Sequence, residues 1–155
     1  MFVIGERING MFKDVRKAIK ERNKSVIQEL ATKQVDCGAQ MLDVNVGPAA
    51  ADQTDVMKWL VETIQEAVNV PLSIDSPKPE VIEAGLKVCK VPALINSTTA
   101  EDAKLERLVS LAKEYDVDLL GLTMDEKGIP NSTTARTELG LKILAKAMEA
   151  GIPTD

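Results

Sequence analysis

Apolar residues fall in short blocks along the chain, at 2–4, 41–46, 71–74, 93–95 and 118–122. After each block comes a longer stretch in which apolar positions recur at helical spacing. This alternation predicts repeated βα units, with strands near 2–5, 41–46, 71–75, 93–96 and 118–123. Helices are expected at 12–37, broken around Asn23, and at 52–69, 78–88, 101–115 and 133–150. Ser25, with Gln28 three residues on, has the form of a capping box, and Thr99 is placed to cap the helix that opens with Glu101 and Asp102. Ser76 is the candidate cap ahead of Pro77 and Pro79, and Gly38, Gly85 and Gly151 fall near predicted helix ends.

Parallel strands joined by helical crossovers leave two architectures, a doubly wound open sheet and a (β/α)8 barrel. A dinucleotide-binding sheet calls for a glycine-rich turn after its first strand, and the glycines of Gly5-Glu6-Arg7-Ile8-Asn9-Gly10 are wrongly spaced for it. Polar residues also close nearly every predicted strand: Glu6 and Asn9, Asp43 and Asn45, Asp75 and Ser76, Asn96 and Ser97, Thr123 and Asp125. In a barrel these positions share the rim on which active sites are built. The expected fold is therefore an α/β TIM barrel of which about five of eight βα units are present. On this reading residues 1–155 are the N-terminal part of one barrel domain. Uncovered strand edges should then make the chain pair with itself, as a homodimer, or with a complementary half.

Composition removes several alternatives. With 155 residues, 45% of them hydrophobic and 28% charged, the chain has material for a sizeable core. A net charge of -5 opposes binding to a phosphate backbone. No apolar run approaches the roughly 18–20 residues that span a bilayer, and residues 1–10 lack a signal-peptide layout, so a cytoplasmic protein is expected. Cys37 and Cys89 lie far apart and read as small buried hydrophobes. The chain has no histidine, which excludes histidine-based triads and HExxH sites within it and leaves the polar work to carboxylates and carboxamides. No metal site is expected.

Among those groups, Asp75 ends its strand where a carboxylate projects into a barrel mouth, and Asn96 holds the matching place one strand later. Asp43 and Asn45 are two apart on one strand, so they point to the same side, toward the rim or toward the Gly47-Pro48 loop. Glu6, Arg7 and Asn9 form a polar segment in which Arg7 has Glu6 or Asp43 as an ordinary ion-pair partner, and Asn9 is the favoured ligand contact. Trp59, Val56, Leu60 and Ile64 share helical spacing and should cover the outside of the sheet.

The segments 4–10, 42–48, 74–76, 95–98 and 121–124, in this order and at these separations, resemble the methyltetrahydrofolate:corrinoid/iron-sulfur protein methyltransferases. That group of pterin-binding TIM barrels is related to dihydropteroate synthase and to the folate domain of cobalamin-dependent methionine synthase. The resemblance implies an enzyme of one-carbon metabolism that moves the N5-methyl group between methyltetrahydrofolate and the cobalt of a corrinoid carried by a partner protein. It implies that Asp75 and Asn96 bond the polar edge of the pterin, with Asp43 and Asn9 lining the same pocket. A further pterin-binding Asp, and the Asn that contacts N5, would lie on later strands beyond Asp155, so no catalytic residue is assigned within the chain. A dihydropteroate synthase would need a basic pocket for its pyrophosphate leaving group, and the strand ends carry no such cluster. A non-catalytic, truncated pterin-binding fragment is the other alternative.

Overall fold

In the computed structural model, which describes residues 1–48 and 50–154, strand and helix alternate as the apolar blocks require. The order is β1 (Ile4–Asn9), α1 (Lys13–Glu21), α2 (Lys24–Asp36), β2 (Met41–Asn45), α3 (Gln53–Gln65), β3 (Leu72–Asp75), α4 (Pro79–Leu86), β4 (Ala93–Thr98), α5 (Asp102–Tyr115), β5 (Asp118–Gly121) and α6 (Thr133–Glu149). Strand order in the sheet is β1-β2-β3-β4-β5, with β1, β2 and β3 paired in parallel. The order advances without a reversal, as in a (β/α) barrel and unlike a dinucleotide-binding sheet with a switch point. The chain folds as two compact units, Met1–Leu94 and Ile95–Asp155.

In the first unit one face of the sheet is apolar. Ile8, Leu42, Val44, Leu72 and Ile74 are fully buried, as are Met57, Leu60, Val61 and Ile64 of α3. Trp59, on the same helix, is half-buried under the Arg22 guanidinium, 5.2 Å from the ring centroid. The break between α1 and α2 comes where expected: Arg22 takes left-handed backbone (φ 51°), and Asn23 caps α2 by accepting from the Val26 N–H. Asn23 thus takes the role expected of Ser25, because its side chain lies on the non-helical side of the break.

Two further local expectations are corrected. Strand β1 runs four residues past its predicted end, so Glu6, Arg7 and Asn9 belong to the strand and not to a following loop. A bulge makes this possible: Gly5 pairs with Leu42 and Ile8 with Val44, so Glu6 and Arg7 together oppose Asp43. Thr99 does not cap α5, whose N-cap is Glu101 without a side-chain hydrogen bond. Thr99 is itself buried, between the fully buried Thr98 and Ala100.

In the second unit Ala100, Leu105, Val109 and Ile143 form the core, with Leu119, Leu139, Ala150 and Ile152 packed against it. Lys142 ties α6 to the start of α5: its ammonium donates to the Ala100 carbonyl (2.7 Å) and pairs with Asp102 (2.8 Å). The hydrogen bond between them raises the Lys142 pKa and lowers that of Asp102.

Gly85 lies inside the end of α4 because β3 and α3 press on it. A Cβ there would sit 2.9 Å from Ile74 Cγ2 and 3.0 Å from Met57 Cγ, both on side chains with no exposure. Gly85→Ala is therefore expected to lower stability by about 1–3 kcal/mol. The effect should appear as a lower urea midpoint with an unchanged slope, and an unchanged midpoint would contradict this account of the packing.

Candidate functional site

The parallel ladder of the first unit sets its polar residues in rows. Asn9 pairs in register with Asn45, and Asn45 with Asp75, so one residue from the end of each of β1, β2 and β3 stands in a single line. Two residues back, Asp43 pairs with Ser73. Side chains two apart on a strand share a face, so both rows lie opposite the apolar layer of Leu42, Val44, Leu72 and Ile74.

The terminal row is half-buried, and its β2 and β3 members are bonded to each other across the strands. Asn45 Nδ2 donates to Asp75 Oδ2 at 2.5 Å, and Asn45 Oδ1 accepts from the Gly47 N–H at 2.7 Å. Asn9 Oδ1 accepts from the Met11 N–H at 2.9 Å, which orders the turn into α1. In the row behind, Asp43 is 3% exposed and accepts from Ser73 Oγ at 2.6 Å. Asp43 is therefore buried one row behind, whereas Asp75 is half-buried in the terminal row.

The turns after β1 and β2 press together behind this row. Gly47, at φ 73°, comes so close to Gly10 that a Cβ on either would meet the other turn's backbone, at 2.7 Å from Gly10 C and 1.9 Å from Val46 O. The Gly10 N–H donates to the Asn45 carbonyl at 2.9 Å. Gln53, the first residue of α3, donates Nε2 to the Gly47 carbonyl at 3.0 Å. A cleft of about 400 Å³ opens beside these turns, lined by Pro48, Asp52, Gln53, Lys78 and Val81 among others.

Arg7 turns elsewhere. Its guanidinium pairs with Asp14 at 2.6 Å and lies 4.2 Å over the Phe12 ring centroid. The hydrogen bond from Arg7 holds the exposed Asp14 carboxyl below its usual range. Ser76 Oγ accepts from the Lys78 N–H at 3.2 Å, shaping the turn before α4, while Lys78 itself is the N-cap.

In the second unit Asn96 is half-buried on β4, and its peptide bond to Ser97 is cis. Asp125 forms a turn of its own, accepting from the Lys127 N–H at 2.8 Å. A groove of about 650 Å³ between α5, β5 and α6 contains Thr123 of the polar strand-end residues and is lined also by Lys113, Asp118, Leu119, Ile143 and Ala147. Among the described residues no helix is long and apolar enough to cross a membrane, and no group of three His, Cys, Asp or Glu side chains is placed to hold a metal ion.

The strand-end row thus brings together Asn9 and Asp75, with Asp43 behind. It also holds Asn45, read with Asp43 as facing the rim or the Gly47-Pro48 loop, and adds Ser73, which had not been named. Their signal was in the sequence: Ser73 stands two before Asp75 and Asn45 two after Asp43, the spacing of one strand face.

Comparison with known proteins bears on the family of the chain. The family model described as pterin binding enzyme matches residues 9–153. The chain is 38% identical over 149 residues to the methylcorrinoid:tetrahydrofolate methyltransferase of Eubacterium limosum, an alignment covering 95% of this chain and 55% of that protein. It is 27% identical over 150 residues to the methionine synthase of Mycobacterium tuberculosis, covering 93% of this chain and 13% of that one. The chain thus spans about half the length of the first relative and a small part of the second.

Removing the Ser73 hydroxyl withdraws a donor from a buried carboxylate. Ser73→Ala is expected to cost about 1–3 kcal/mol of stability with the fold intact. Denaturant titration checks this, and a variant as stable as the parent would show that the Ser73–Asp43 bond carries no net weight.

Proposed function

The chain belongs to the pterin-binding enzymes, and on that footing we propose that it moves the N5-methyl group between methyltetrahydrofolate and the cobalt of a corrinoid carried by a partner protein. The observation that carries the proposal is the row of Asn9, Asn45 and Asp75, a half-buried line of donors and acceptors at three strand ends. A pterin ring presents a flat edge of N–H donors and ring acceptors, and a row of carboxamides and a carboxylate is the matching surface.

In this reading Asp75 accepts from the pterin N–H edge, and Asn96 of the second unit, with a donor and an acceptor, is proposed as a pterin contact in its own right. Asn9 and Asp43 complete the pocket, Asp43 from below. Such a site is selective because an analogue lacking the pterin's polar edge leaves buried groups unpaired. The corrinoid supplies the methyl-accepting or methyl-donating metal, and the chain, having no histidine, leaves any histidine ligand of cobalt to the partner. What these residues contribute is orientation: they hold the ring so that N5 meets the incoming metal in one geometry. N5 is a poor leaving group without a proton or hydrogen bond, which the proposal assigns to residues outside this chain's motifs.

The proposal also includes self-association in the cytoplasm. Phe2, Val3 and Ile4 are exposed at the start of β1, and Leu141, Leu144 and Met148 on α6. Such apolar groups call for cover. Sedimentation is expected to give a dimer, and a compact monomer at all concentrations would remove this part.

Calorimetric titration with methyltetrahydrofolate tests the site. Asp75→Ala and Asn96→Ala should each weaken binding by about 1–3 kcal/mol without lowering the melting temperature. Glu83→Ala on α4, whose carboxylate is paired with Lys87, serves as the control and should bind as the parent does. If both strand-end variants keep the parent's affinity, the assignment is wrong. If affinity and melting temperature fall together, Asp75 and Asn96 are structural.

A further inference from the structure

Resting on the pterin-site reading, we propose that Asn45 is a positioning residue that sets the orientation of the Asp75 carboxylate for its ligand. Asn45 has one hydrogen-bond partner on each side of its carboxamide. The Gly47 N–H can only donate, so Oδ1 must face it, and an ionised carboxylate can only accept, so Nδ2 must face Asp75. The direction of the amide is thus dictated from both ends. A reversed amide would set donor against donor at 2.7 Å and acceptor against acceptor at 2.5 Å.

The Gly47 peptide is itself held. Gln53 Nε2 donates to its carbonyl, and Gly10 packs against its Cα side. Gln53, Gly47, Asn45 and Asp75 therefore form one chain of donors and acceptors that begins at the first residue of α3 and ends on the carboxylate. A carboxylate has about four acceptor sites in its plane. Asn45 takes one of them from a neighbouring strand, in register, and so restrains that plane. A flat ligand with two adjacent N–H groups binds best to a carboxylate whose plane is already set, since less ordering remains for the binding step. Gly47 and Gly10 explain why the arrangement is built at this turn: a side chain on either would force the two turns apart and carry Oδ1's partner away.

A purely structural Asn45, tying β2 to β3, would also show these contacts, so the test reads binding against pH as well as stability. The chain and its Asn45→Ala and Asn45→Asp variants are titrated with methyltetrahydrofolate between about pH 5.5 and pH 8, with melting temperatures in parallel. Asn45→Ala should weaken Kd by about ten- to a hundred-fold at unchanged melting temperature. Asn45→Asp keeps the acceptor for Gly47 but sets a second carboxylate against Asp75. Relative to the parent it should bind weakly at pH 8 and regain affinity as the pH falls and the pair takes up a shared proton. If the parent binds and both variants bind as tightly, the inference is overturned while the pterin site stands. An Asn45→Asp affinity that keeps a constant ratio to the parent across pH overturns it too, as does loss of binding only in step with unfolding. A parent that does not bind removes the pterin-site reading itself, and this inference with it.

Discussion

Register between β2 and β3 is the constraint on which the site depends. In a parallel ladder the side-chain period is two, so a slip of one residue would carry Asn45 and Asp43 into the apolar layer and bring Val44 to the ligand face. The slip is opposed from both sides of the sheet. Leu42 and Val44 pair with Leu72 and Ile74 beneath the helices, all without exposure, while Asp43 meets Ser73 and Asn45 meets Asp75 on the other face. The apolar burial that stabilises the first unit and the polar pairing that shapes its site therefore select the same alignment.

The row also needs the turns that follow it. A strand end leaves backbone groups unpaired, and here they are taken up locally: Gly10 donates to the Asn45 carbonyl, Gly47 to the Asn45 side chain, and Asn9 accepts from Met11. Glycine at 10 and 47 lets the two turns approach closely enough for this. Side chains at the C-terminal ends of β1 and β2 are thus bonded to their own turns, and that of β2 also to Asp75 of β3, a degree of order suited to recognition of a rigid, flat ligand.

Much of this was legible in the residues. Five apolar blocks and their helical successors located all eleven elements, and the period of two placed Asp43 and Asn45 on one face. What escaped were choices that depend on three-dimensional neighbours. The extension of β1 through Glu6 and Arg7 rests on a bulge opposite Asp43, and charged residues beside a glycine read as a loop when the partner strand is unseen. Asn23 and Ser25 are both good caps, and only the left-handed turn at Arg22 decides between them. Gly85 does stand near the end of α4, as its position suggested, but its close approach to Met57 and Ile74 could not be read. Arg7 found Asp14, seven residues on, because the turn after β1 brings α1 back beside the strand. The face and the loop contact of Asn45 were legible, but its bond to Asp75 became visible only with β3 opposite it.

Amide chemical-shift mapping of the ¹⁵N-labelled chain during addition of methyltetrahydrofolate addresses the central claim most directly. The account predicts that the largest changes fall on Asn9, Gly10, Asn45, Gly47 and Asp75, and on the Asn45 side-chain amide in particular. Changes centred instead on the groove lined by Leu119, Ile143 and Ala147, with the strand-end row unmoved, would contradict it.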